Sequence, residues 1–171
     1  MSIYLSLGSN LGDREGNIYK ALTFLEDQIG VIRKQSSLYE TEPWGMESVT
    51  LFLNKVIMIE SDFKPFAMLS RIKEIERLAG RILPANSTTG ISADCYLSRC
   101  IDIDILFYHH QVVVREHLII PHPKIPYRRF LLVPLAEIAS EFVHPVSGKN
   151  MQELLNECVD QKRVSIRPMD C

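Results

Sequence analysis

The sequence predicts an α+β fold in which helices pack on an antiparallel-dominated sheet. Apolar residues alternate with polar ones in several short segments and recur at helical spacing in others. Up to residue 108 these segments follow one another in the order β-α-β-β-α-β. That order is the plan of ferredoxin-like folds. We therefore expect a ferredoxin-like sheet with its helices on one face.

The first strand and the first helix have the clearest signals. Residues 2–8 alternate as a strand does, and turn residues follow until Asp13, whose carboxylate is suited to cap a helix. Gly30 ends the predicted helix. The core face of this helix comprises Ile18, Ala21, Leu22, Leu25 and Ile29.

Two further strands and a second helix follow. Residues 31–40 are rich in Val, Ile, Ser and Tyr, which favours a strand. Residues 50–61 are largely apolar on both faces, which is typical of a central strand. The second helix ends at Gly80. Its periodic apolar residues are Phe66, Leu69, Ile72, Ile75 and Leu78.

A long polar loop separates these elements from the rest of the chain. It covers residues 82–98, and loops of this length in compact domains are usually functional or mobile. Beyond it we predict strands at 100–108 and 112–114 and helices near 128–139 and at 150–158. Pro134 falls within the first of these helices, where proline requires a first turn or a kink.

Length and charge limit the classes of protein to consider. The chain has 171 residues, with 19 Lys+Arg against 21 Asp+Glu and a net charge of −2. We expect one domain over residues 1–171, because a chain of this size buries roughly 70% of its unfolded surface. We expect no nucleic-acid or membrane partner, since binding by bulk charge needs an excess of basic residues on one face.

The N-terminus and the cysteines favour a cytoplasmic protein. Residues 1–8 lack the basic region of a signal peptide, and no apolar run approaches the ~18 residues of a membrane span. The four cysteines form no C-x-x-C motif, and we expect them to be free thiols. They are Cys95, Cys100, Cys158 and Cys171. We also expect the protein to be a monomer.

The segment from Arg99 to Phe107 carries the most specific chemical signal. On a strand, its isoleucines and Phe107 share one core face, whereas Asp102 and Asp104 share the other. The Cα atoms of the two aspartates would lie about 7 Å apart. Two carboxylates so placed can bridge paired cations such as Mg²⁺, which favours carboxylate and phosphate oxygens. The alternative is a solvated outer face, although Asp is depleted in strands and like charges on one face repel.

Two arginines accompany this segment. Arg99 precedes the strand and Arg81 follows the second helix, and each is either a phosphate ligand or a surface residue. The sequence contains no P-loop and no protein-kinase motifs. Phosphoryl transfer by this chain would therefore use metals and arginines in a different framework.

Several motifs together resemble one enzyme family. They are Gly8-Ser9-Asn10-Leu11-Gly12-Asp13-Arg14, Glu40-Thr41-Glu42-Pro43-Trp44-Gly45, Phe52-Leu53-Asn54, Gly80-Arg81, Arg99-Cys100-Ile101-Asp102-Ile103-Asp104-Ile105-Leu106 and Pro121-His122-Pro123, with Arg128-Arg129-Phe130-Leu131 and Pro134-Leu135 after them. In this order and spacing, residues 2–147 closely resemble the 6-hydroxymethyl-7,8-dihydropterin pyrophosphokinases of the folate pathway. The resemblance implies a ferredoxin-like fold, two Mg²⁺ ions and transfer of pyrophosphate from ATP to the hydroxymethyl oxygen of the pterin, leaving AMP.

The resemblance also implies roles for individual residues. Asp102 and Asp104 match the metal-bridging aspartates, and Arg81 and Arg99 would stabilise charge on the transferred group and on AMP. The positions that match the pterin pocket are Thr41, Glu42, Trp44, Phe52, Asn54 and Phe130, the two phenylalanines sandwiching the ring. The positions that match the ATP site are Glu76, Arg81, Arg99, Ile105, His122 and Arg128.

Departures from the family pattern concentrate just before the metal strand. Leu97-Ser98 stands where Gly-Pro is common, and Leu83 replaces a frequent basic residue. Tyr96 stands loosely in the place of a family tryptophan. These differences concern how the 82–98 loop closes, and they leave the metal and pterin positions unchanged.

Two other functions stay open on the residues alone. One is a two-metal phosphohydrolase, which would consume ATP without a pterin. The other is a ferredoxin-like binding module without catalysis, which would bind no ATP analogue in a Mg²⁺-dependent manner.

Overall fold

A computed structural model describes residues 1–43, 50–80 and 99–168. The strands are β1 (Ser2–Ser9), β2 (Val31–Gln35), β3 (Tyr39–Thr41), β4 (Phe52–Glu60), β5 (Asp102–Tyr108), β6 (Val113–Arg115), β7 (Leu118–Ile120) and β8 (Val164–Ile166). The helices are α1 (Arg14–Gln28), α2 (Pro65–Leu78), α3 (Arg129–Ala139) and α4 (Met151–Glu157), with a 3₁₀ turn at Ile125–Tyr127.

The main sheet has the strand order of a ferredoxin-like fold. Its path is β5-β1-β4-β3-β8, with β2 also paired to β4, and every pairing is antiparallel. Together β2 and β3 occupy the place of one strand beside β4. The predicted fold class is therefore confirmed, and 52–60 is the central strand that its apolar faces indicate.

The predicted strand over residues 31–40 is wrong in one respect, because the chain forms two strands there. Ser36 lies between them, and its hydroxyl accepts a hydrogen bond from the backbone N–H of Val56 at 3.0 Å. Lys55 then donates to the backbone carbonyl of Ser36 at 2.7 Å. The Ser36 N–H still donates to the Val56 carbonyl at 2.8 Å, but these side-chain bonds take part of the regular ladder, which is a recognised way for serine to interrupt a strand.

One face of the sheet is covered by α1 and α2, as predicted. Asp13 caps α1 by accepting from the backbone N–H of Gly16 at 3.0 Å, and Gly80 follows α2 with a φ of +103°. The apolar core on this face contains Ile3, Leu5, Leu7, Ile18, Leu22, Leu25, Leu53, Ile57, Met68, Ile72, Ile75 and Ile103 among others. Phe66 and Leu78 are exposed, so the buried stripe of α2 runs through Met68, Ile72 and Ile75 instead.

The expectation that helices lie on one face is wrong, because α3 and α4 cover part of the opposite face. Their apolar residues pack there on Tyr4, Val56, Leu106 and Phe107. Phe107 itself was predicted to share a face with the isoleucines of its strand. A register shift between β1 and β5 opposite Tyr4 and Leu5 ends the strict alternation after Ile105, and Phe107 enters the second core.

Part of the second face lies outside both apolar cores formed by the described residues. At this end of the sheet β1 contributes Ser6 and Gly8, and β5 contributes Asp102 and Asp104. The first turn of α3 borders the same region through Phe130. In the described part of the chain, no helix is both long enough and apolar enough to cross a membrane.

Candidate active site

One cavity on the second face collects most of the predicted pterin and metal positions. Four elements and their flanking residues line it: β1, β3, β4 and β5, with the start of α3 closing one side. The lining residues are Ser6, Gly8, Thr41, Glu42, Phe52, Asn54, Arg99, Asp102, Asp104, Arg128 and Phe130. Nine of these eleven residues are predicted site residues, and they come from widely separated parts of the sequence.

The two aspartates lie opposite the smallest residues of β1. Asp102 pairs with Gly8 and Asp104 with Ser6 in the antiparallel register. Gly8 also pairs with Asn54 on its other side, and a Cβ at Gly8 would lie 3.0 Å from the Asn54 amide oxygen. A side chain at position 8 would therefore crowd the cavity between the carboxylates and the amide.

The carboxylates differ in their electrostatic surroundings. Asp102 forms an ion pair with Arg99, with Nη1 and Oδ2 separated by 2.8 Å. Burial raises the pKa of Asp104 to about 7, and the neighbouring charge of Asp102 adds to the increase. Lys73 and Arg128 act in the opposite direction on the same pKa. Asp104 thus lies where a negative charge is costly unless a cation accompanies it.

The predicted pterin positions form the other side of this cavity. Asn54 donates through Nδ2 to the hydroxyl of Thr41 at 2.6 Å, and both residues are buried. This bond holds the amide of Asn54 in one orientation. Phe52 and Phe130 line the same cavity, and the guanidinium carbon of Arg128 lies 5.6 Å from the centre of the Phe130 ring.

A second cavity adjoins the first at Asp104, which lines both. It lies between α2, β5 and the β6–β7 hairpin, whose strands pair at Val113–Ile120 through Arg115–Leu118. Its lining contains the predicted ATP residues Ile105 and His122. The other lining residues are Leu69, Lys73, Ile103, Glu116, His117, Leu118, Ile119 and Pro123.

His122 is held as a neutral imidazole beside this second cavity. Burial lowers its pKa to about 4, and the positive charge of Arg128 contributes to the decrease. Its Nδ1 accepts from the backbone N–H of Lys124 at 3.2 Å. A neutral ring at this place can donate or accept a hydrogen bond without adding charge.

One predicted site residue in the described part of the chain lines neither cavity. Glu76 is 1% exposed and lines neither of them, because its carboxylate is directed at the backbone of β5. Arg81 and Trp44 lie outside the described residues, as does the predicted loop at 82–98 with Tyr96.

Sequence reasoning missed three residues that shape the site. Ser6 and Gly8 line the first cavity. The alternation of β1 could have indicated them, because it places Leu5 and Leu7 on the core face and Ser6 and Gly8 on the other face. Asn10 is buried and binds Arg99 at two points: its Oδ1 accepts from the Arg99 N–H at 2.8 Å, and its own N–H donates to the Arg99 carbonyl at 3.3 Å. The contact spans 89 residues, so no local pattern could indicate it.

The carboxylates fit a divalent cation that also binds phosphate. In the described ranges, no group of three His, Cys, Asp or Glu side chains could hold a metal ion. Two aspartates on one strand face are therefore a partial ligand set, and Mg²⁺ commonly completes such a set with phosphate oxygens and water. A cation bound here would lower the raised pKa of Asp104 and favour its ionised form.

Comparison with protein families gives a match over most of the chain. Residues 4–140 match the family model described as 7,8-dihydro-6-hydroxymethylpterin-pyrophosphokinase. The 2-amino-4-hydroxy-6-hydroxymethyldihydropteridine pyrophosphokinase of Porphyromonas gingivalis is 42% identical over 144 residues, covering 84% of this chain and 93% of that protein. The enzyme of that name from Aquifex aeolicus is 37% identical and covers 91% of both chains.

Longer proteins contain a similar region. The folic acid synthesis protein fol1 of Pneumocystis carinii is 33% identical over 98% of this chain, which spans only 21% of that protein. Among solved structures, Plasmodium falciparum HPPK-DHPS matches with a TM-score of 0.73 at 18% identity, over 91% of this chain and 43% of that one. The structural match supports the fold, and the sequence matches support the family. The chain therefore belongs to the 7,8-dihydro-6-hydroxymethylpterin-pyrophosphokinase family and is a pyrophosphokinase of folate biosynthesis.

Proposed function

We propose that this chain transfers pyrophosphate from ATP to 6-hydroxymethyl-7,8-dihydropterin in a Mg²⁺-dependent reaction that yields AMP and the pterin diphosphate. The observation that supports this most strongly is the position of Asp104, which lines both cavities. A nucleotide in one cavity and a pterin in the other would meet at the two carboxylates. Both reacting groups would then be in reach of one metal-binding edge, as phosphoryl transfer requires.

The first cavity suits a flat, polar heterocycle. Phe52 and Phe130 supply aromatic surface, and stacking adds roughly 0.5–1.5 kcal/mol per ring pair beyond burial. Asn54, fixed by Thr41, supplies an amide edge that can pair with the ring's donors and acceptors. Glu42 lines the same cavity, and Trp44 is proposed to complete it.

The second cavity suits the nucleotide. Ile105 and the hairpin supply apolar surface for a base, and His122 and Lys73 supply polar groups for the ribose and phosphates. Arg128, which lines the first cavity, is close enough to change the pKa of both Asp104 and His122. It would therefore place a positive charge beside the transferred phosphates.

The two aspartates would hold the metal ions, and the arginines would complete the charge balance. When bound, two Mg²⁺ ions would supply positive charge against the ATP phosphates. The pterin hydroxymethyl oxygen would form a bond to the β-phosphorus while the bond from that phosphorus to the α–β bridging oxygen breaks. The electron pair of the broken bond would stay on the phosphate of AMP, and the hydroxyl proton would be released to solvent. Arg99 and Arg81 would stabilise the charge that develops on the transferred group and on AMP.

The decisive experiment is a product assay with the purified protein, ATP, Mg²⁺ and the reduced pterin. We expect AMP and pterin diphosphate in equal amounts, both dependent on the pterin and both abolished by EDTA. ADP as the nucleotide product would contradict the proposal. Loss of ATP at the same rate without the pterin would instead indicate a phosphohydrolase.

A further inference from the structure

The strand that carries the two aspartates has one edge outside the ladder. In the described part of the sheet, β5 pairs with β1 alone and ends the strand order. Successive residues of a strand direct their backbone N–H groups to opposite edges. The residue between the aspartates, Ile103, directs its N–H away from β1 and toward α2, where Glu76 accepts it.

Glu76 makes this contact from within an otherwise apolar helix face. Its Oε1 accepts from the Ile103 N–H at 2.8 Å, and its Oε2 lies 3.0 Å from the Nζ of Lys73. Its neighbours on the buried stripe of α2 are Met68, Ile72 and Ile75. Burying a carboxylate is costly unless hydrogen bonds compensate it, and an apolar residue at this position would remove the acceptor of the Ile103 N–H.

We propose that Glu76 is a positioning residue that ties α2 to the outer edge of β5 and thereby holds Asp102 and Asp104 in place for metal binding. The proposal rests on the proposed metal-binding function of those aspartates. It assigns Glu76 a role different from the ATP contact that the resemblance implies, because its carboxylate is buried and contacts Ile103 and Lys73. The essential feature is an acceptor oxygen opposite the Ile103 N–H, whereas the charge is secondary.

Two substitutions separate the acceptor from the charge. Glu76→Gln keeps an oxygen that can accept from Ile103 and removes the charge. Glu76→Met keeps the length of the side chain and removes the acceptor. Glu74→Met is the matched control, because Glu74 lies on the exposed side of the same helix in an ion pair with Arg71.

The first measurement is amide hydrogen exchange at Ile103 in the metal-free protein. Glu76→Met should raise the exchange rate about tenfold or more, as expected when one hydrogen bond is lost. Glu76→Gln and Glu74→Met should change it by less than about threefold. This readout needs neither ATP nor turnover, so it tests the contact even if the protein proves to lack the proposed activity.

The second measurement is Mg²⁺-dependent binding of a non-hydrolysable ATP analogue, followed by calorimetry, together with thermal unfolding. Glu76→Met should weaken the Mg²⁺-dependent binding about tenfold and lower the melting temperature by a few degrees, because the buried Ile103 N–H loses its acceptor, whereas Glu76→Gln should retain binding within about threefold. A purely structural role would instead lower the melting temperature and leave Mg²⁺-dependent binding by the folded protein unchanged.

Two outcomes would overturn the proposal. One is a Glu76→Gln protein as defective in Mg²⁺-dependent binding as Glu76→Met, which would make the charge itself a ligand. The other is unchanged Ile103 exchange in Glu76→Met. Failure of the pterin-dependent AMP assay with normal exchange behaviour would instead count against the proposed function alone.

Discussion

The two faces of the sheet use the same strands for opposite purposes. On the face covered by α1 and α2, β1 contributes Ile3, Leu5 and Leu7, and all three are fully buried. Residues Ser6 and Gly8 of that strand face the opposite way and line the candidate active site. A period of two residues therefore separates the stabilising face from the chemical one, and apart from the proposed contact of Glu76 with Ile103 we expect a change of an apolar residue on one face to have little effect on the other.

The second face is itself divided along the strands. Its apolar part lies under α3 and α4, where Tyr4, Val56 and Phe107 form a second core. Its polar part holds two aspartates, an asparagine and arginines, and burial there raises the pKa of Asp104. Burying an ionised carboxylate costs free energy, so we expect the site end of the face to contribute less to stability than the apolar end.

The largest effect is expected from removing an apolar side chain from the stabilising face, and it should concern stability alone. Leu5→Ala removes a fully buried side chain from the core between the sheet and the two helices. It should lower the free energy of unfolding by about 3–5 kcal/mol, measured by urea denaturation. Leu11→Ala, at an exposed leucine, is the control and should change it by less than about 0.5 kcal/mol. A large change in KM for the pterin in folded Leu5→Ala protein would mean that the faces are not separable.

Removing a carboxylate from the polar end should lower activity strongly and stability only slightly. Asp102→Asn should reduce kcat for pterin-dependent AMP formation by about 10²- to 10³-fold, because one anionic metal ligand is lost. Its melting temperature should change by only a few degrees, since Asp102 is partly exposed and its ion pair with Arg99 is at the surface of the cavity. Asp27→Asn on the exposed side of α1 is the control. Wild-type turnover in Asp102→Asn would refute the metal role.

Removing an aromatic ring from the site should weaken the binding of one substrate only. Phe130→Ala should weaken pterin binding about 10- to 100-fold through lost burial and stacking, as measured by calorimetry. Binding of an ATP analogue should change less than about threefold, because Phe130 does not line the second cavity. Phe66→Ala, at an exposed phenylalanine of α2, should leave both unchanged. Equal losses for both ligands would show that the cavities are not independent.

The smallest effect is a pH dependence specific to Asp104. The pKa of this carboxyl is raised from 3.8 to about 7 by burial and by Asp102, so the folded state keeps a proton that the unfolded state has lost. Its contribution to stability therefore falls as the pH rises from about 4 to 7. In EDTA, Asp104→Asn should be more stable than the wild type at pH 8 by about 1 kcal/mol, or a few degrees in Tm.

The difference between the two proteins should largely disappear at pH 4. The difference in unfolding free energy between the wild type and Asp104→Asn reports on Asp104 alone, because both proteins contain His122. The lowered pKa of His122 makes the stability of both proteins fall as the pH drops below about 6.5. A difference that is the same at both pH values would show that Asp104 is not protonated in the folded protein.

Local patterns were enough to predict the helices, most of the strands and the chemically important strand, but β7 and β8 were not predicted. The Asp13 cap, the central strand and the aspartate pair each depend on residues that are neighbours along the chain. Predictions failed where a distant contact decides the outcome. Ser36 divides a strand because Val56 and Lys55 bind it, and Phe107 changes face because of a register shift against β1.

The sequence by itself determined the alternation that places apolar side chains on one face and Asp102 and Asp104 on the other, because a strand's period of two is a property of the backbone. It also contained the motifs that identify the family. Only the tertiary structure decided that Asp104 lines two cavities, that Asn10 binds the backbone of Arg99, and that Glu76 accepts a hydrogen bond from β5. Those contacts join residues 27 to 89 positions apart, and the packing of α2 and β1 against β5 brings them together.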